Sequence, residues 1–447
     1  MMNEEKLTPE QVRATLVCNN KGLPTNSLGN CTTVLKLDEN LAGAIKYNSL
    51  TGRIEIVKDL GWARESSTLT DTDLKYFYLY FEKTYGLTNQ KHIVNAVGIV
   101  ANDNQYHPIR EYLNKLQWDG RDRVRYALQK YLGADTSDYT YECLKVFMLG
   151  AINRVFHPGE KFDLMLCLVG GQGAGKSTFF RFLAVKDEWF SDDLKKLDDE
   201  NVYRKLEGHW IIEMSEMIAT ANAKSIEEIK SFLSRQKETY KVPYETYAQD
   251  RLRQCVFAGT TNKRDFLPKD RSGNRRFLPV MVHAEKAEEH ILDNEDSSRA
   301  YIEQMWAEVM EIYRTGRYVL KLPERFEANL KDYQSDFMQE DTQAGQIYAW
   351  LEQTTETKVC SKQIYLEALG NTFKEPASWE TRNICEIVNT GIENGDIVGW
   401  RAFKNAKRFK AYGKQKGWER IPNMEKHLEG DESGFIPVND DVDNPFV

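Results

Sequence analysis

Two different hydrophobic patterns meet near residue 158. Upstream, apolar positions recur mostly at helical spacing. Thr70-Asp71-Thr72-Asp73 precedes Leu74-Lys75-Tyr76-Phe77-Tyr78-Leu79, which predicts a capped helix. Asp71 and Asp73 also form an Asp-x-Asp of the kind that holds polymerase metals, but no partner carboxylate follows on a strand, so capping is the reading adopted. His107-Pro108 opens a short helix that closes in a turn at Trp118-Asp119-Gly120; helical spacing then resumes to about Arg154, and Pro158-Gly159 breaks it. Downstream, continuous apolar runs alternate with helices. Residues 164–169, 210–212 and 255–258 read as strands covered on both faces, and 276–282 as an edge strand because it contains Pro279. The expected fold is therefore α/β, with a parallel sheet as its core.

After about Ala344 a smaller unit begins. Residues 347–351, 364–369 and 378–392 have helical spacing, and residues 397–400 and 408–412 alternate like a hairpin. Three helices followed by a ribbon is a winged-helix order. The expected divisions are an N-terminal α+β region (1–105), a helical lead-in (106–160), the α/β core (161–340), the winged-helix-like domain (344–422) and an acidic tail (423–447).

Composition narrows the compartment. No apolar run approaches the roughly 20 residues of a membrane span, and the first residues lack an apolar segment, so a cytoplasmic protein without membrane contact is expected. The seven cysteines at 18, 31, 143, 167, 255, 360 and 385 form no Cys-x-x-Cys pair, which argues for reduced thiols rather than disulfides or a zinc ribbon. A net charge of −8 hides a partition: residues 401–420 carry eight Lys or Arg against one acid, Glu419, whereas residues 431–447 carry five acids and no base. A basic surface thus survives the acidic average.

The candidate chemistry follows the first apolar strand. Gly170-Gly171-Gln172-Gly173-Ala174-Gly175-Lys176-Ser177 fits G-x-x-x-x-G-K-[ST] completely, and Thr178 continues into a helix. Glycines allow backbone N–H groups to turn toward phosphate, Lys176 suits the β- and γ-phosphates, and the Ser177 hydroxyl suits Mg²⁺. ATP and Mg²⁺ are the expected ligands. Glu213 and Glu216, after the second strand, are candidates for the metal and for water activation; Asp198, Asp199 and Glu200 are less apt, having no apolar strand before them. The third strand ends in Gly259-Thr260-Thr261-Asn262, where Asn262 could orient a lytic water. Arg275 and Arg276 are candidates for reaching a phosphate in a neighbouring subunit. Residues 234–244 mix bases and rings, so Arg235, Lys237, Lys241 and Tyr244 are candidates for single-stranded nucleic acid. In the C-terminal unit, Arg401, Lys404, Lys407, Arg408 and Lys410 are candidates for duplex phosphates, with the helix from Ser378 in a groove.

The order of these motifs resembles the virulence-associated protein E family of phages and mobile islands. The resemblance rests on residues 154–163 leading into the P-loop, 210–216, 242–244, 257–262, 273–277, His107-Pro108 and Trp118-Asp119-Gly120. It implies kinship with superfamily 3 helicases of the AAA+ class, a homo-hexameric ring on DNA, Gly175, Lys176 and Ser177 on nucleotide and metal, Asn262 as sensor, and Arg275 or Arg276 as finger. Glu238 and Lys241 stand where the family pattern leads one to expect Asp and Arg. The function implied is an ATP-dependent DNA helicase or replication initiator; a non-motor ATPase regulator and a small-molecule P-loop kinase are the alternatives. The last residues, Asp440 to Val447, resemble the acidic Pro-Phe-ended tip of bacterial single-stranded-DNA-binding proteins, which would recruit host replication proteins.

Overall fold

Thr70 starts a helix because its hydroxyl takes the Asp73 N–H while the Asp73 carboxylate takes the Thr70 N–H, capping Asp71–Tyr85 reciprocally. Trp62 and Arg64 also donate to Asp73, so this carboxylate is committed to structure rather than to a metal. The computed structural model of the chain describes residues 6–194, 197, 202–215, 223–240, 249–267, 274–328, 330–338, 342–371 and 374–421. Asp198 to Glu200, Glu216, Lys241 to Tyr244, Lys269 to Gly273 and the tail 423–447 lie outside the described residues. The chain divides into two units, residues 1–339 and 340–447.

The first part of the larger unit builds its own core. Strands β1 (Ile45–Asn48), β2 (Arg53–Ile56) and β3 (Gln105–Tyr106) form a sheet ordered β2-β1-β3. Val34, Phe77, Phe81, Ile93 and Val97 pack with it as one cluster. His107 then caps the helix Pro108–Lys115 and holds Gln254 through Nε2 at 2.7 Å. Burial pulls the His107 pKa down to about 4, so the ring is neutral at physiological pH.

The central sheet is five-stranded and parallel. It comprises β4 (Met165–Val169), β5 (Phe190–Ser191), β6 (Ile211–Glu213) and, beyond the antiparallel hairpin β7 (Lys237–Tyr240)–β8 (Gln249–Leu252), β9 (Val256–Thr261) and β10 (Phe277–Met281). Its order is β10-β4-β9-β6-β5. Strand β4 reads as an unbroken apolar run because both faces are covered: Leu166 and Leu168 pack with Phe147, Phe180 and Trp306, whereas Met165, Cys167 and Val169 pack with Ile229, Phe232 and Phe266. Pro279 sits in β10 at one edge, as its missing N–H requires. The other edge strand, β5, has only two residues and left no apolar run to read. This is the α/β core with a parallel sheet that the pattern predicts.

The smaller unit follows the order helix Thr342–Gln353, strand β11 (Lys358–Cys360), helical segments Ser361–Gln363 and Ile364–Ala368, helix Ser378–Asn394, then β12 (Trp400–Ala402), β13 (Lys407–Phe409), β14 (Gly413–Gln415) and β15 (Gly417–Arg420). Strand β15 lies between β11 and β12, and β13 pairs with β14. Gly417 is needed there because a Cβ would lie 2.0 Å from the Val359 carbonyl oxygen. The ribbon is more elaborate than the single hairpin expected from the sequence. No helix among the described residues is long and apolar enough to cross a membrane. All seven cysteines are free thiols, five of them buried.

Candidate nucleotide-phosphate site

Strand β4 delivers Gly170 to the carboxyl edge of the sheet, where ligands of open parallel sheets gather. A Cβ on Gly170 would meet the Val282 carbonyl oxygen at 2.4 Å, so only glycine lets the loop leave the strand beside β10. Gly173 and Gly175 take φ values of 79° and 77°, and Gly175 caps the helix Lys176–Leu183. The free N–H groups and dipole of that helix N-terminus favour an anion. An open cleft of roughly 420 Å³ runs along Gln172 to Thr178, Ser215 and Thr260 to Asn262.

Two polar knots line this cleft. The Lys176 ammonium donates to Gly170 O at 2.8 Å, Gly171 O at 2.6 Å and Asn262 Oδ1 at 2.9 Å. Burial pulls its pKa down, with the Glu213 charge opposing that shift. The Ser177 hydroxyl donates to Glu213 Oε1 at 2.7 Å, and the Thr260 hydroxyl donates to the same oxygen. Glu213 is 1% exposed, and its Oε2 has no hydrogen-bond partner among the described residues. Burial pushes the Glu213 pKa up; the Thr260 and Ser177 hydrogen bonds hold it down, and nearby Asp192 pushes it further up. Strand register explains the grouping. Asn262 follows β9, which lies between β4 and β6, so a single strand bridges the lysine and the acid.

The arginine candidates lie elsewhere. Phe277 pairs with Met165 and Met281 with Val169, so Arg275 and Arg276 sit at the amino edge of the sheet, about five residues or roughly 17 Å of strand from their own P-loop. Arg276 donates through Nε to Asp163 at 3.0 Å and to Ser234 at 3.1 Å, whereas Arg275 is exposed. In the hairpin, Lys237 pairs with Asp250 at 2.5 Å and Arg235 with Glu238 at 3.6 Å. Glu238 is itself buried on Arg253, which donates to it through Nε at 2.8 Å and lies over the Phe232 ring at 4.3 Å. A second cavity, about 260 Å³, borders this pair, but Glu238 and Arg253 are spent on each other there. In the smaller unit Arg401 and Lys407 both pair with Glu419, at 3.0 and 2.6 Å, while Lys404, Arg408 and Lys410 are exposed.

Two residues lining the cleft, Thr260 and Ser215, and one whose charge acts on Glu213, Asp192, are not singled out by the sequence. Thr260 was detectable as a hydroxyl two positions before Asn262 in an otherwise buried strand. Asp192 follows a strand too short to see, and Ser215 shares a segment with the acids that overshadow it.

The model of the virulence-associated protein E-like domain matches residues 113–339. No curated protein matches the chain. Among solved structures, the A form apo structure of the NrS-1 C terminal region is 13% identical, covering 84% of this chain and 96% of that one with a TM-score of 0.47. The X-ray structure of JCV helicase is 10% identical, covering 64% of this chain and 88% of that one with a TM-score of 0.27. The family match encloses the whole P-loop cleft and just over half of the residues, and the chain belongs to the virulence-associated protein E-like family.

Proposed function

We propose that this protein is an ATP-dependent DNA helicase or replication initiator of a phage or mobile element, hydrolysing ATP at subunit interfaces of a homo-hexameric ring. One observation carries the reading: Lys176, Ser177, Glu213, Thr260 and Asn262 interlock in one cleft at the carboxyl edge of a parallel sheet. The donor set fits Mg²⁺, since Glu213 Oε2 is a buried carboxylate oxygen without a partner among the described residues and the Ser177 hydroxyl shares Oε1. Ser177 and Glu213 would hold the ion, which supplies charge neutralisation on the phosphates. Glu216 stays a further candidate for holding it.

The protein's own groups then divide the work. A buried, partly desolvated ammonium gains by exchanging carbonyls for phosphate oxygens, so Lys176 leaves Gly170, Gly171 and Asn262 when nucleotide enters. That exchange frees the Asn262 amide to orient the attacking water. Glu213 Oε2, without a partner among the described residues, would accept a hydrogen bond from that water. Gly170 to Thr178 supply the backbone cradle. Arg275, at the far edge of the sheet, cannot serve its own cleft and is suited to a neighbour's; Arg276 shares the position but is tied to Asp163. The smaller unit is read as a winged-helix-like DNA-binding domain, and the hairpin β7–β8, with Lys241 and Tyr244 in the sequence between its strands, as the single-strand contact.

Lys176→Ala tests the phosphate assignment. Hydrolysis should fall by on the order of 10²–10³ or more with the fold intact; substantial hydrolysis by the folded variant would rule it out. Strand displacement on a forked duplex separates a motor from a regulator that uses ATP only to assemble, and ATPase stimulation by DNA separates both from a kinase.

A further inference from the structure

We propose that the C-terminal unit meets duplex DNA through the β13–β14 ribbon, by phosphate contacts, and not through the helix Ser378–Asn394. The inference rests on the reading that DNA is this protein's substrate, and it specifies the surface. The helix is the expected groove reader, but its charge is wrong for that role. One arginine, Arg382, stands against Glu380, Glu386 and Glu393. A polyanion is repelled by that balance.

The ribbon has the opposite character. Of the cations from 401 to 420, Arg401 and Lys407 are neutralised by Glu419, and Arg420 is turned inward onto the carbonyls of Leu351 and Thr354. Lys404, Arg408, Lys410, Lys414 and Lys416 are exposed and have no carboxylate within ion-pair distance among the described residues, and Arg408 and Lys414 lie in the β13–β14 strands themselves. Arg408 and Lys414 are moreover direct cross-strand partners in the β13–β14 ladder. Like charges placed opposite each other destabilise a ladder. Nothing within the described unit relieves this pair, and an anion seated between the two side chains would.

The rings of the ribbon argue for duplex over single strand. Single-stranded DNA is held by free aromatic faces. Here Phe403 and Phe409 pack on each other with Lys407 over Phe403, and the Tyr412 hydroxyl donates to Glu367 at 2.8 Å. The surface offers charge without a stacking platform, which fits backbone contact with little sequence preference.

The test uses the full chain, without nucleotide, on a fluorescent duplex of about 20 base pairs titrated at several salt concentrations. Omitting nucleotide keeps the outcome independent of whether the ATPase assignment holds. Arg408→Gln/Lys414→Gln should weaken binding by about tenfold at low salt and lower the slope of log affinity against log salt by about 2, since each phosphate contact contributes about 0.9. The same variant should unfold at an equal or higher temperature, because it removes a repulsive pair; a merely structural role would move stability and affinity down together. Arg382→Ala should leave duplex affinity unchanged. Wild-type affinity and slope in the ribbon variant would overturn the proposal. So would loss of binding in Arg382→Ala, or an equal effect of the ribbon variant on a single strand and on an acidic polypeptide.

Discussion

At the residue scale, Glu213 explains how the cleft balances stability against readiness. A buried carboxylate with one oxygen unpartnered among the described residues costs free energy, on the order of 1–3 kcal/mol for an unsatisfied group. Its folded pKa is raised, mainly by burial, so the native state holds a proton more tightly than the unfolded chain. Stability from this group is therefore greatest below the ordinary carboxylate range and declines as pH rises toward the raised value. Glu213→Gln should abolish hydrolysis while stabilising the nucleotide-free fold by about 1 kcal/mol at neutral pH, as urea unfolding would read it. A destabilised Glu213→Gln protein would contradict this picture of a strained acid.

Thr260 belongs to the same scale. Its hydroxyl stabilises the charged carboxylate, so Thr260→Val should raise the Glu213 pKa further and move the acid limb of the kcat–pH profile to higher pH. Thr260→Ser should restore the limb. An unmoved limb in Thr260→Val would show that Thr260 only packs.

At the element scale, legibility followed length and chemistry. Strands β4, β6, β9 and β10 were readable because each is an apolar run between turns, and Pro279 even marked an edge. The P-loop was readable because its glycines are required by backbone geometry. Strand β5, of two residues, carries too few side chains to show a period, and with it went Asp192; β11 opens on Lys358 and lacks the continuous apolar run, Trp210 to Ile212, that marked β6. Partners distant in sequence were equally hidden: the Arg276 bond to Asp163 spans 113 positions, and the Glu238 bond to Arg253 closes a hairpin whose charges looked free. That buried pair anchors β7 to the core, and it accounts for an acid at Glu238 whichever acid the family pattern prefers. Glu238→Ala leaves the Arg253 guanidinium buried without its partner and should cost about 3–5 kcal/mol in denaturant unfolding. A loss under about 1 kcal/mol would mean that the Phe232 ring and the Phe232 carbonyl hold Arg253 unaided.

At the scale of the whole molecule, the account turns on one asymmetry. The lysine and the acid lie at the carboxyl edge of the sheet and the exposed arginine at its amino edge, so on the proposed reading one chain would carry two halves of a site that its own geometry keeps apart. Neighbours in a ring would join them, and an arginine supplied across an interface is worth roughly 10³–10⁵ in rate. Removal of residues 340–447 should then weaken duplex binding while basal hydrolysis survives, because the cleft lies within the larger unit. Steady-state ATP hydrolysis by a mixture of Lys176→Ala and Arg275→Ala proteins tests the shared site most directly. Each variant alone should be nearly inactive, and an equimolar mixture should regain about a quarter of the wild-type rate per chain, since random assembly in a closed ring pairs an intact cleft with an intact arginine at that fraction of interfaces. A mixture no more active than its parts, or an Arg275→Ala protein that hydrolyses ATP normally by itself, would contradict the account.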